Sequence, residues 1–249
     1  MSTASSVHRA SQAPDALVGA RVAVTGAGGS IGRRVVRSLA STVEIVEVVA
    51  IDESSVSAPH GLVRHELLDL LGPPGRLEAA IAGVETIVHL AYSTEHGGQP
   101  LLSAADDAGV ARVVFVSSAM VYGGWSNNSV PLSEDSPLLP NPECDFAVSK
   151  ADAERILWEW ADAAPDRVAI VLRPAPAVSA TDVSMIGQAV LAAAPIRTGT
   201  DDPPVQFVHM DDLAAATVHA AGLSSSGVYN VAADGWLTGN ELRALLGAR

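Results

Sequence analysis

Residues 25–32 read TGAGGSIG, directly after the short apolar run Val22-Ala23-Val24 and directly before a stretch in which Ile31, Val35 and Leu39 recur at helical spacing. A strand that runs into Gly26, Gly29 and Gly32 and then into a helix is the pattern of a dinucleotide-binding turn. The glycines permit the tight turn and let the backbone approach a pyrophosphate, which then rests on the helix N-terminus. Ser30 and Ile31, the first residues of that helix, join the three glycines in the expected cofactor site. About twenty residues further on, Asp52 ends the next apolar run, where a carboxylate can accept hydrogen bonds from the adenosine ribose hydroxyls. Asp69 is a second candidate, for the adenine edge. Asp52 favours NAD, because a carboxylate repels a 2′-phosphate; Arg33 and Arg34 follow Gly32 and leave NADP open, with Arg33 the candidate contact.

The rest of the chain repeats the alternation of strand and helix. Strands are expected at 44–51, 86–90, 112–116 and 167–172, and helices at 75–83, 101–109 and 147–164. Strands separated by helices imply βαβ units and a Rossmann-like, doubly wound parallel sheet of the α/β class. After Pro174 the pattern loosens into a short strand and helix over 206–222, a strand at 227–235 and a last helix opened by a Thr238–Glu241 capping box. The expected division is a Ser/Ala-rich disordered leader over 1–18, a dinucleotide-binding domain over 19–173 and a small substrate-binding region over 174–249, partly interleaved with the sheet.

Composition narrows the function classes. A net charge of −13 argues against binding nucleic acid or an anionic membrane. No apolar run approaches the roughly 20 residues of a membrane span. A single cysteine, Cys144, excludes an internal disulfide and suits a cytoplasmic chain. The histidines show no metal-ligand spacing. Among fifteen lysine and arginine residues only Lys150 is lysine, which suggests that arginine would not serve there: an ammonium is a compact charge with a tunable pKa, whereas a guanidinium is a wide fork.

With HLA at 89–91, FVSSAMVYGG at 115–124, SK at 149–150, LRP at 172–174 and FVHMDDLA at 207–214, the chain resembles the extended short-chain dehydrogenase/reductases, akin to sugar-nucleotide epimerases and dehydratases. The resemblance spans about residues 20–235. It implies an NAD- or NADP-dependent oxidoreductase or epimerase acting on a hydroxyl or ketone of a sugar nucleotide or natural product. It adds Leu90 and Ala91 to the cofactor site, gives Ser118 the substrate oxygen, and gives Lys150 both a catalytic role and the nicotinamide ribose. It also implies a homodimer paired through the helices at 101–108 and 147–164, with Ile156, Leu157 and Trp160 as the apolar face.

Two departures stand out. In that family a tyrosine one helical turn before the lysine carries the proton, its pKa drawn down from about 10 by the neighbouring cations. Here that position is Phe146. And only 92–100 separate HLA from the next helix, which is short for a crossover. Phe146 leaves three readings: an engineered loss of one hydroxyl; a natural enzyme whose proton comes from Tyr92, Tyr122, Cys144, water or the substrate's own hydroxyl; or a non-catalytic nucleotide-binding regulator.

Overall fold

The computed structural model describes residues 17–55, 61–73, 75–91, 98–194 and 204–247. Among them the main sheet has seven strands, all parallel, in the order β3-β2-β1-β4-β5-β6-β9. In chain order these are β1 (Arg21–Thr25), β2 (Glu47–Asp52), β3 (Val63–Leu67), β4 (Thr86–His89), β5 (Arg112–Val116), β6 (Val168–Pro174) and β9 (Gly227–Val231). The helices are α1 (Ser30–Ala40), α2 (Arg76–Ala80), α3 (Gln99–Ala108), α4 (Asp145–Asp162), α5 (Met185–Ala193), α6 (Met210–Ala221) and α7 (Gly239–Leu245). Apart from the main sheet, β7 (Ala177–Val178) and β8 (Val208–His209) form a separate two-stranded parallel sheet.

β1 pairs with β2 on one side and β4 on the other, so the strand order reverses direction at β1. In such sheets the crevice for a ligand opens outside the carboxyl ends of the strands at that reversal. Continuous burial of Val22–Thr25, Val48–Ile51 and Val113–Val116 explains why these runs read as unbroken apolar strands: helices cover both faces. On one face α1 and α6 supply Val35, Leu39, Ala214 and Ala221; on the other, α2, α3 and α4 supply Leu77, Leu101, Leu157 and Trp160.

Several sequence expectations shift. Leu17, within the stretch expected as leader, is fully buried against the α1 face and Val18 is exposed; residues 1–16 lie outside the described residues. β2 starts at Glu47 rather than residue 44, because Ile45 turns into the core from a loop. β3 has no apolar run. It is an edge strand whose polar side chains are satisfied across the sheet, with Arg64 bonded to Glu47 at 2.9 Å and also to Glu66. Leu157 and Trp160 are core residues of this chain, 3% and 6% exposed, and so cannot supply the homodimer face assigned to them. The Thr238–Glu241 capping box forms with both reciprocal bonds.

Gly32 and Gly29 make a graded test of the first turn. A Cβ on Gly32 would lie 2.1 Å from the Gly26 carbonyl oxygen, whereas one on Gly29 would meet nothing closer than 3.3 Å. Gly32→Ala is expected to cost about 1–3 kcal/mol of stability in urea unfolding, and Gly29→Ala clearly less. Equal losses would contradict this packing.

Candidate active site

The glycine turn is held by close backbone approaches. Gly26 has φ +69°, and a Cβ there would sit 2.7 Å from the Ala91 amide nitrogen at the end of β4. Gly29 is the N-cap of α1, with its N–H donated to the Gly26 carbonyl at 3.1 Å. The first N–H groups of α1, beginning at Ser30 and Ile31, therefore emerge beside the tips of β1 and β4, where a helix start offers donors and positive dipole to an anion.

Asp52 reaches across from β2. Its Oδ2 accepts the Gly28 N–H at 2.9 Å and its Oδ1 accepts both the N–H and the hydroxyl of Ser54, at 3.0 and 2.7 Å. Burial alone would raise its pKa, but the bonds from Ser54, Gly28 and the Glu53 backbone together hold it below the usual carboxylate value. The group is an anion at neutral pH, beside the glycine turn. Asp69 sits at the end of β3 with its carboxylate bonded to the Leu71 N–H at 2.8 Å. Arg33 is exposed and folds back onto the Gly28 carbonyl. Arg34 is engaged elsewhere, with Asp211 at 2.9 Å and Asp182 at 3.4 Å, and ties α1 to the C-terminal region.

One cleft of about 430 Å³ gathers Gly26, Gly29, Ser30, Ile31, Gly32 and Leu90 on one side and Ser118, Phe146 and Lys150 on the other. The glycine turn and the catalytic positions thus share one cavity, whereas Arg33, Asp52, Asp69 and Ala91 do not line it; Ala91 stands against Gly26 and Asp52 against Gly28. Ser118 follows β5 and caps the 3-10 turn Ala119–Tyr122, its oxygen accepting the Met120 N–H at 3.2 Å. That bond uses a lone pair and leaves the hydroxyl proton to donate.

Lys150 lies on the second turn of α4, 5% exposed. Its ammonium donates to the Val116 carbonyl at 2.9 Å and sits 4.6 Å from the centre of the Phe115 ring and 5.8 Å from that of Phe146. Burial pulls its pKa down to about 8, with Glu154 opposing the fall. His89, stacked on Phe115 with ring centres 5.5 Å apart, shares a 2.7 Å hydrogen bond between its Nδ1 and the Thr25 hydroxyl. Burial, with the Lys150 charge adding, lowers it to about 3, so it is neutral.

Of the other proton sources considered, Tyr122 points away from the cleft. Its hydroxyl donates to Asn230 Oδ1 at 2.7 Å and accepts from Arg173 at 2.9 Å. Cys144 is the N-cap residue of α4 and does not line the cleft; Tyr92 lies outside the described residues. Among the described residues, no three His, Cys, Asp or Glu side chains group as a metal site.

Sequence reasoning missed the polar cluster beneath Lys150. Ser117 donates to Glu154 Oε1 at 2.5 Å, and Arg173 holds the same carboxylate through Nε at 3.1–3.2 Å and Nη2 at 2.7 Å. Glu154, four residues after Lys150, and the arginine of LRP were the available signals.

A glycine turn opening α1, a carboxylate ending β2 and a Ser–Lys pair at the sheet's central crevice are the features of a Rossmann-like dinucleotide-binding fold. Residues 22–232 match the NAD dependent epimerase/dehydratase family, and the chain belongs to it. It is 33% identical over 158 residues to the dTDP-glucose 4,6-dehydratase of Streptomyces griseus, covering 53% of this chain and 46% of that protein. It is 33% identical over 188 residues to the UDP-glucose 4-epimerase of Azospirillum brasilense, covering 68% and 52%. The chain thus spans about half the length of these curated relatives. MoeE5 in complex with UDP-glucose and NAD superposes with a TM-score of 0.71 at 28% identity, covering 92% of this chain and 83% of that one. The Streptomyces venezuelae DesIV double mutant, a dTDP-glucose 4,6-dehydratase with NAD and DAU bound, gives 0.74 at 26%, covering 92% and 82%.

Because Lys150 is the only lysine, ¹³C-lysine labelling yields one side-chain resonance that reports its charge directly. Its midpoint is expected near 8 in the folded protein and near 10.5 once unfolded. This group therefore opposes folding below pH 8, and its penalty is relieved as pH rises from 8 to 10.5, where the unfolded chain holds more protons. A folded-state midpoint near 10.5 would contradict the burial of the ammonium.

Proposed function

We propose that this chain is an NAD-dependent oxidoreductase or epimerase that moves hydride between the cofactor and a hydroxyl or ketone carbon of a sugar nucleotide or related natural product. The observation that carries this reading is the shared cleft, lined by the α1 glycine turn and by Ser118 and Lys150, with Asp52 bonded to the Gly28 N–H of the same turn. The residues fit the cofactor. Gly26 and Gly32 seat the turn and α1 closely on the strand tips, Gly29 keeps the N–H groups of Ser30 and Ile31 open to a pyrophosphate, Asp52 receives the adenosine ribose, and Lys150 the nicotinamide ribose. When bound, NAD accepts or returns the hydride.

The chain's own residues do the rest. Ser118 donates a hydrogen bond to the substrate oxygen, stabilising charge that builds there. Lys150 places a cation beside the same centre. Phe146 has no proton to give, so proton transfer belongs to water or the substrate, or returns when a hydroxyl is restored. Pairing of two copies through the outer faces of α3 and α4, and a cytoplasmic location, belong to the same reading. A non-catalytic nucleotide-binding regulator is the second reading, favoured by Phe146 alone.

Asp52→Ala is expected to weaken NAD binding by about 10–100-fold in calorimetric titration, the worth of a hydrogen bond to a charged group, and to weaken NADP less. If the parent protein binds NADP at least about tenfold tighter, a difference of about 1.4 kcal/mol, Arg33 rather than Asp52 sets cofactor choice.

Phe146→Tyr is expected to raise single-turnover hydride transfer by about 10²–10⁴-fold, the usual contribution of a placed general acid or base. A gain under about threefold, well below that range, would mean that the proton never passes through this position. In that case Ser118→Ala should still slow transfer. No hydride transfer in any form, with NAD bound, would establish the regulator.

A further inference from the structure

A buried ion pair lies one helical turn below the only lysine. Glu154 is 1% exposed and Arg173 5% exposed, and the guanidinium grips the carboxylate through Nε and Nη2, the shortest contact being 2.7 Å. The pair is satisfied on every side. Ser117 donates to Glu154 at 2.5 Å; Arg173 Nη1 donates to the Tyr122 hydroxyl at 2.9 Å and to the Glu134 carbonyl at 3.1 Å; Tyr122 in turn donates to Asn230 at 2.7 Å. The cluster joins the ends of β5, β6 and β9 to the middle of α4.

Such a pair is a weak source of stability, because desolvating two charges consumes most of what their attraction returns, and an apolar replacement of similar volume is often as stable. Its position gives it another consequence. Val116, whose carbonyl holds the Lys150 ammonium at 2.9 Å, is followed by Ser117, whose hydroxyl is held by Glu154. Glu154 thereby fixes the strand end that anchors the lysine. It is also the carboxylate that acts electrostatically on Lys150.

The groups facing Lys150 make that carboxylate decisive. From β4 comes His89, which is neutral; from β5, the Val116 carbonyl and the Phe115 ring; from α4 itself, the Phe146 ring and Glu154; from β6, the Arg173 cation, behind Glu154. Among these described groups Glu154 alone carries negative charge. Remove it, and Lys150 loses its counter-charge while Arg173 becomes an unpaired buried cation nearby. Both changes favour loss of the lysine's proton.

We propose that Glu154, clamped by Arg173 and Ser117, is a positioning residue that keeps Lys150 charged and anchored at the cleft. The cofactor role of Lys150 rests on the function proposed above, but its charge is measured independently of that function.

The test is the single-lysine titration applied to Glu154→Gln, which keeps shape and removes charge. The Lys150 midpoint should fall by about 1 pH unit, the low end of the range for loss of a nearby opposite charge. Glu154→Asp should return it toward the parent value. A midpoint unchanged or raised in Glu154→Gln, with a cooperative urea transition showing the variant folded, overturns the proposal. Should Glu154→Gln fail to fold, Glu154→Gln/Arg173→Met is compared with Arg173→Met, which differs from it only in the carboxylate. A lower midpoint in the double variant then supports the proposal, and one equal or higher overturns it. NAD affinity followed against pH separates the two ideas: an NMR shift with unaltered NAD affinity keeps Glu154 as the positioning residue while removing Lys150 from cofactor binding.

Discussion

The approach of Gly32 to the Gly26 carbonyl is the constraint on which the rest of the structure depends. No side chain fits between them, since a Cβ would lie 2.1 Å from that oxygen. Helix α1 is therefore seated directly on the tip of β1, with its first N–H groups at the reversal of strand order. Gly26 is itself crowded by Ala91 from β4, so the tips of two neighbouring strands and one helix start converge on a space that only backbone can line. Asp52, from the strand on the other side of β1, closes the arrangement by accepting the Gly28 N–H. A helix start that offers N–H groups and positive dipole, with the Asp52 carboxylate bonded to the same turn, suits a pyrophosphate joined to a ribose.

At the other end of the cleft the controlling physics is desolvation. Lys150 sits between two phenylalanine rings with a backbone carbonyl as its hydrogen-bond partner. Burial draws its pKa toward neutrality, and the carboxylate one turn below opposes that pull. The same carboxylate is shared with Arg173 and Ser117, so the charge of the lysine, the end of β5 and the end of β6 are set together. Phe146 adds ring surface to this environment and no hydroxyl.

Legibility in the sequence followed locality. The β1–α1 turn could be read because its glycines, helix periodicity and following Asp52 are close in sequence and each has one physical reason. The Thr238–Glu241 capping box was readable for the same reason. β3 was not, because an edge strand built from Arg64, His65 and Glu66 has its polar groups satisfied by a neighbouring strand rather than by any pattern of its own. Leu157 and Trp160 have the sequence pattern of an interface, since an apolar helix face looks the same whether it meets a sheet or a second copy. The Glu154–Arg173 pair joins residues on different elements, and only the β5–α4–β6 packing brings them to 2.7 Å. The two-residue strands β7 and β8 are too short to leave any periodicity.

The central claim is that one cleft binds NAD between the α1 turn and Lys150. A crystal structure of the protein grown with NAD tests it most directly. The account predicts the pyrophosphate on the N–H groups of Ser30 and Ile31, the adenosine ribose hydroxyls on Asp52, and the nicotinamide ribose within hydrogen-bonding reach of Lys150. Density for NAD elsewhere on the surface, or with its adenosine end away from β2, would contradict it.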